Sequence, residues 1–179
     1  VIPFLRALAA VAALGVAGCA GLTERAPGQA VEFELTARFA ARYRDDAASG
    51  QLAWRHDAGR DEVLLSSPLG QGVARVTRGP EGATLVLSDD RRFSAPDAET
   101  LTEQVLGFRL PLRGLADWVR ARPESGAPAQ TEMGAQGRPA SIEQRGWRIE
   151  YQAYEAGRPS RLRLTYPGLE LRLAISEWK

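Results

Sequence analysis

Phe33-Glu34-Leu35-Thr36-Ala37-Arg38-Phe39-Ala40-Ala41-Arg42-Tyr43 alternates along its whole length. Phe33, Leu35, Ala37, Phe39, Ala41 and Tyr43 fall on one side. Glu34, Thr36, Arg38, Arg42 and the following Arg44 fall on the other, with Ala40 the only small exception. Successive side chains of a β-strand point to opposite faces, so the stretch reads as a strand with one buried and one solvated face.

Toward the C-terminus the chain repeats that theme between turns. Arg44 to Gly50 reads as a turn, after which Leu52, Trp54 and His56 resume the alternation. Ala58-Gly59 turns into Glu62–Leu65, Ser66–Gly72 forms a loop, and Val73–Thr77 follows. Gly79–Gly82 turns into Ala83–Leu87, and Asp89-Asp90 into Arg92-Phe93. Turn residues at such regular spacing describe an antiparallel meander. At Ser94-Ala95-Pro96-Asp97 the period changes: Ser94 is expected to cap a helix, with Asp97 in the acidic position of a capping box. Ala98, Leu101, Val105 and Leu106 form its stripe and Gly107 its stop. A second helix is expected from Leu112 to about Arg122, with Leu112, Leu115, Trp118 and Val119 on one face and Pro123 at its end. Glu124–Arg138, rich in Gly, Pro, Ser and Gln, reads as an exposed loop. Alternation returns over Ala140–Gln144, Trp147–Tyr154, Leu162–Tyr166 and Leu169–Ile175. Strands, two helices and strands again give an α+β fold: a single antiparallel sheet with helices covering one face.

Toward the N-terminus, Ala20–Ala30 holds few large apolar groups and reads as a tether. Before it, Arg6 precedes an apolar run, Ala7–Leu14, and small residues lead to Cys19, the only cysteine of the chain. That order is a secretory signal, and the run is too short to span a bilayer. Val16-Ala17-Gly18-Cys19 resembles a bacterial lipobox. The resemblance implies an S-diacylglyceryl group on Cys19, cleavage before it and N-acylation of the new amine. The expected organisation is a lipoprotein signal peptide over 1–18, an acylated N-terminus and tether over 19–31, and one domain over 32–179. Several acyl chains hold a protein on a membrane it does not span. By resemblance to enteric sorting, Ala20 rather than Asp after the cysteine implies the outer membrane.

The 179 residues are 44% hydrophobic and 25% charged, with a formal net charge of +1. Arg is spread along the strands and offset by Asp and Glu, so the clustered cationic excess that nucleic acid requires is missing. One His, with Cys19 acylated, supplies no zinc set, and no G-x-x-x-x-G-K-[ST] stretch supplies ATP binding. His56 next to Asp57 could enlist Ser66 or Ser67, yet no G-x-S-x-G elbow occurs. Asp45-Asp46, Asp61-Glu62 and Asp89-Asp90 read as solvated turn acids. The expectation is no catalytic residues, no metal and no enzyme activity.

What stands out is Leu69 in Ser66-Ser67-Pro68-Leu69-Gly70-Gln71-Gly72. Pro68 fixes φ and Gly70 tolerates positive φ, which would hold Leu69 at the loop tip. The composition also allows it to fold back on the core. Leu52-x-Trp54, Leu64-Leu65-x-x-Pro68-Leu69-Gly70 and Ala95-x-Asp97-Ala98-Glu99 occur in order along the chain. So do Gly107-x-x-Leu110-Pro111-Leu112-x-x-Leu115-x-x-Trp118-Val119, Gln144-x-Gly146-Trp147-x-Ile149-x-Tyr151 and the closing Trp178. This ordered set, with the lipobox, resembles the LolB family of outer-membrane lipoprotein receptors.

The resemblance implies a half-open β-barrel with an α-helical lid over an apolar cavity. It also implies a function: accepting acylated lipoproteins from the periplasmic carrier LolA and inserting them into the inner leaflet of the outer membrane. Pro68, Leu69 and Gly70 would form the membrane-insertion loop. Candidate acyl-chain contacts are Phe39, Trp54, Leu64, Leu101, Leu115, Trp118, Trp147, Tyr151 and Leu173. No cofactor is expected beyond the acyl groups of Cys19 and the cargo's acyl chains as a transient ligand. The protein is expected to be a monomer, lipid-anchored with its domain in the periplasm. The other reading is an anchored amphiphile-binding sensor or storage module of the same fold without transfer activity. Relative to the family, the segment between Cys19 and the first strand is short, leaving the lid on that side in question.

Overall fold

The computed structural model describes residues 31–179, and its central strand is the stretch quoted first. β1 (Val31–Tyr43) pairs on one side with β2 (Asp46–Asp57), followed outward by β3 (Arg60–Ser66), β4 (Gly72–Gly79), β5 (Gly82–Leu87) and β6 (Arg92–Ala95). On its other side lies β11 (Leu169–Trp178), then β10 (Arg158–Tyr166), β9 (Trp147–Glu155), β8 (Pro139–Gln144) and β7 (Ala129–Met133). All neighbours are antiparallel, and the sheet is open, because β6 and β7 are its edges. Two short helices, α1 (Ala98–Leu106) and α2 (Leu112–Trp118), connect the halves and pack on one face. Cys19, the expected signal and the expected tether lie outside the described residues, apart from Val31, which begins β1.

Register makes the middle of that face apolar from β6 across β1 to β9. Leu35, Trp54, Val63, Val76, Leu85 and Phe93 are successive cross-strand partners from β1 to β6. In the other half Phe39, Leu173, Leu162 and Tyr151 form a second row. Directly opposed residues share a face, so the period-two pattern of each strand adds up to one continuous apolar surface. Burying each such side chain contributes about 1.5–3 kcal/mol, and the helices supply the other half of the contact.

Five local expectations need correction. Asp46–Gly50 is strand, and the turn is only Arg44-Asp45. Small residues there carry no hydrophobic alternation, but they pair residue for residue with Phe39–Tyr43. Gly50 is required by close approach, since a Cβ would sit 2.2 Å from the Ser66 carbonyl oxygen. Ser94 belongs to β6 and pairs with Thr84. The cap of α1 is Asp97, whose carboxylate accepts from the Thr100 N–H at 2.7 Å and is held below its usual pKa range by that bond. Within α1, Leu106 is exposed and Thr102 is buried instead.

α2 ends at Trp118 rather than near Arg122. The chain turns there, with Ala121 at φ 57° and its N–H bonded to the Trp118 carbonyl. The region 124–138 is not all loop: β7 forms its middle. Both faces of β7 are exposed, so it has no alternation to read; it is held by backbone pairing to β8 and by the Ser141 hydroxyl, which donates to Glu132 at 2.7 Å.

Candidate functional site

Seven of the nine proposed acyl-chain contacts are buried in one cluster between the concave sheet face and the helices. Trp54, Tyr151, Leu173 and Trp147 come from the sheet, Leu101 from α1, and Leu115 and Trp118 from α2. Phe39 packs against the cluster and is half-buried. Leu64 does not belong: it is 39% exposed on the outer face, opposite Ala53 and Arg75. A one-residue change of parity explains the miss, because Val63 and Leu65 point inward and the Leu64-Leu65 pair left both phases open. The apolar concavity is occupied by lid side chains, chief among them Trp118, which has no exposed surface.

Trp118 is fixed by polar contacts in an apolar setting. Its indole Nε1–H donates to Gln144 Oε1 at 2.8 Å, and its carbonyl accepts from the Tyr151 hydroxyl at 2.7 Å. Burial first, and then the charge of Tyr154, push the Tyr151 hydroxyl pKa well up, so it remains a donor. Gln144 accepts a second bond from Glu124 N–H at 2.8 Å and donates to the Glu124 and Ala127 carbonyls. Both amide hydrogens and both lone-pair directions are thus used. At the other end of the lid, the Tyr43 hydroxyl donates to the Gly107 carbonyl at 3.1 Å, and Phe108 packs on the Tyr43 ring. The lid is therefore tied at a buried point and at an exposed one, and Arg120 just past α2 is ion-paired with Glu32 of β1.

An opening of about 610 Å³ lies against the N-terminal ends of both helices. Arg78, Arg109, Arg113 and Arg145 line it together with Trp147 and Tyr166. The Tyr166 ring stacks on Trp147 at 5.1 Å, and Trp147 lies 5.9 Å from Trp118. An aromatic path therefore runs from a polar rim to the apolar interior.

A buried polar cluster was missed in sequence. Asp61, read as a solvated turn acid, faces inward beside Val63 with its carboxylate fully buried. It accepts from Trp54 Nε1 at 2.9 Å and Arg78 Nε at 2.5 Å, and His56 Nδ1 lies 2.7 Å away. Burial alone would raise its pKa; the hydrogen bonds from His56 and Trp54 and the Arg78 charge outweigh burial and hold it below the ordinary range. His56 faces Asp61 rather than Asp57, and Ser66 lies at the far end of β3, paired with Gln51, so these groups form no Ser-His-Asp set. Among the described residues no group of His, Cys, Asp and Glu is placed to hold a metal ion.

The loop after β3 is the opposite of the lid. Ser67 N–H donates to the Gln71 carbonyl and Gly70 N–H to the Ser67 carbonyl, closing a tight turn with Gly70 at φ 84°. Leu69 sits at its tip, 89% exposed. No helix among the described residues is long and apolar enough to cross a membrane.

Residues 31–178 match the family model described as Outer membrane lipoprotein LolB. The chain is 43% identical to the outer-membrane lipoprotein LolB of Thiobacillus denitrificans, with 98% of each chain covered. It is 40% identical to that of an Azoarcus species, over 98% of this chain and 95% of the other. Among solved structures it is similar in fold to a DUF1329 family protein from Desulfovibrio piger, with a TM-score of 0.53, 6% identity and 86% of both chains covered.

Proposed function

This chain belongs to the LolB family of outer-membrane lipoproteins, and from that membership we propose that it receives acylated lipoproteins from a LolA-type periplasmic carrier and inserts them into the inner leaflet of the outer membrane. It works as a monomer held to that membrane by acyl groups on Cys19, without a cofactor and without catalysis. The observation that carries the reading is a continuous apolar face under a small tied lid, next to a loop that presents a bare leucine.

Acyl chains drawn fully into water would cost about 0.8 kcal/mol per CH₂, tens of kcal/mol for several chains. Transfer must therefore pass from one apolar surface to another. In the cargo-free state Leu101, Leu115 and Trp118 keep the face dry. When α1 and α2 move, Trp54, Trp147, Tyr151, Leu173 and Phe39 are left to contact acyl chains, and the Tyr166–Trp147 path leads in from the rim. Leu69, flanked by Pro68 and Gly70, enters the bilayer and brings the concavity to the acyl region. Direction without ATP needs only descending free energies, and about 1.4 kcal/mol per step gives a tenfold bias.

The test is reconstitution with loaded carrier, this protein and liposomes. Leu69→Glu is expected to accept cargo and fail to deliver it. Delivery at the unaltered rate by Leu69→Glu would remove the insertion role. Retention without passage by the unaltered protein would favour the sensor or storage reading.

A further inference from the structure

We propose that the groove behind the Leu69 loop is a binding site for the phosphate of a membrane phospholipid headgroup, with Arg38 as its cation. This deepens the insertion reading and rests on it. The groove, about 410 Å³, lies where β1, β2 and β11 meet the loop and is lined by Thr36, Arg38, Ser49, Gln51, Pro68 and Ser176. It is joined to the leucine loop directly, since Gln51 Nε2 donates to the Pro68 carbonyl at 3.3 Å. Leu69 follows Pro68, so an apolar probe and a cationic groove share one short loop.

The chemistry suits a phosphate diester. Arg38 is exposed on the outer face and makes no ion pair among the described residues. Gln51 is its direct cross-strand partner, and Thr36 and Ser49 add hydroxyls, while the Ser176 hydroxyl donates to the Thr36 carbonyl at 3.1 Å. A guanidinium surrounded by neutral donors matches an anionic oxygen cluster. The nearby outer-face acids are engaged elsewhere: Glu34 with Arg55 and Glu177 with Lys179. On the same cross-strand row, Arg161 lies two strands away beyond Ala174, also without an ion pair among the described residues, and extends the positive potential. A leucine reaching past the headgroups would bring this groove to phosphate depth.

The experiment uses the mature chain from position 19 onward carrying Cys19→Ala, so that neither the signal segment nor an acyl anchor dominates binding, with vesicles of phosphatidylethanolamine and phosphatidylglycerol. Co-sedimentation is measured for the parent, Arg38→Ala, Arg38→Lys and Arg60→Ala. Arg60 is an exposed arginine at the other end of β3 and serves as the control for net charge. A cation at a membrane surface contributes about 1 kcal/mol, so Arg38→Ala should bind about fivefold more weakly. Arg38→Lys should recover only part of the loss, because an ammonium keeps the charge but lacks the guanidinium fork, and high salt should shrink the differences. Equal losses for Arg38→Ala and Arg60→Ala, or no loss for either, would overturn the site. Inorganic phosphate that competes as well as vesicles bind would make it a site for free phosphate and overturn the headgroup assignment. Cargo delivery is read separately: intact delivery by the parent with unaltered vesicle binding by Arg38→Ala sinks only the groove, whereas no delivery by the parent sinks the function it rests on.

Discussion

The lid and the β3–β4 loop both link strands, and both carry bulky apolar side chains, yet they treat them in opposite ways. α2 buries Trp118 completely and ties it through Gln144 and Tyr151. The loop leaves Leu69 in solvent on a turn whose hydrogen bonds are its own, apart from the Gln51 contact. Apolar surface is thus displayed at Leu69 and withheld at Trp118. The exposed leucine needs no conformational change to meet a membrane. On the proposed function the concavity needs its lid to move first, so the ties through Gln144 and Tyr151 would govern when that happens.

The contrast can be broken hardest at Trp118. Trp118→Ala should destabilise the protein by about 3–5 kcal/mol, seen as a lower urea midpoint. A smaller effect follows from Gln144→Ala, which leaves the Trp118 and Glu124 N–H groups without acceptors in a buried setting. About 2 kcal/mol is expected, with faster hydrogen exchange confined first to α2 and residues 119–127.

Acid should also separate the regions. The Asp61 pKa is lowered on folding, so its stabilisation is complete above the ordinary aspartate value and is lost as pH falls through the lower folded value. Urea midpoints taken downward from about pH 5 should fall for the unaltered protein and fall less steeply for Asp61→Asn. At the other extreme, Leu69→Ser should change stability by no more than about 0.5 kcal/mol while abolishing vesicle insertion.

The sheet was legible because one face of it is dry: each hydrophobic strand announced itself by period two, from Phe33 through Ile175. Where the residues are small or exposed on both faces, as in Asp46–Gly50 and β7, side chains left no hydrophobic pattern to find. Leu64 and Asp61 were misplaced for a single reason, the phase of β3. Reading inward from Val63 would have put Asp61 opposite His56 inside and Leu64 outside. The loop geometry of Leu69 was visible in Pro68 and Gly70, but its exposure depended on the absence of a neighbouring apolar surface, which only the fold reveals. Gln144 carried no local signal, since a polar residue at a strand end ordinarily faces water.

The decisive measurement is amide hydrogen exchange with and without bound lipoprotein cargo. Residues 112–121 should lose protection on loading while β1 and β11 keep theirs, because acyl chains take the place of Trp118 against the sheet. Unchanged protection across α2 in a protein fully loaded with cargo would contradict a lid that yields its apolar face to acyl chains.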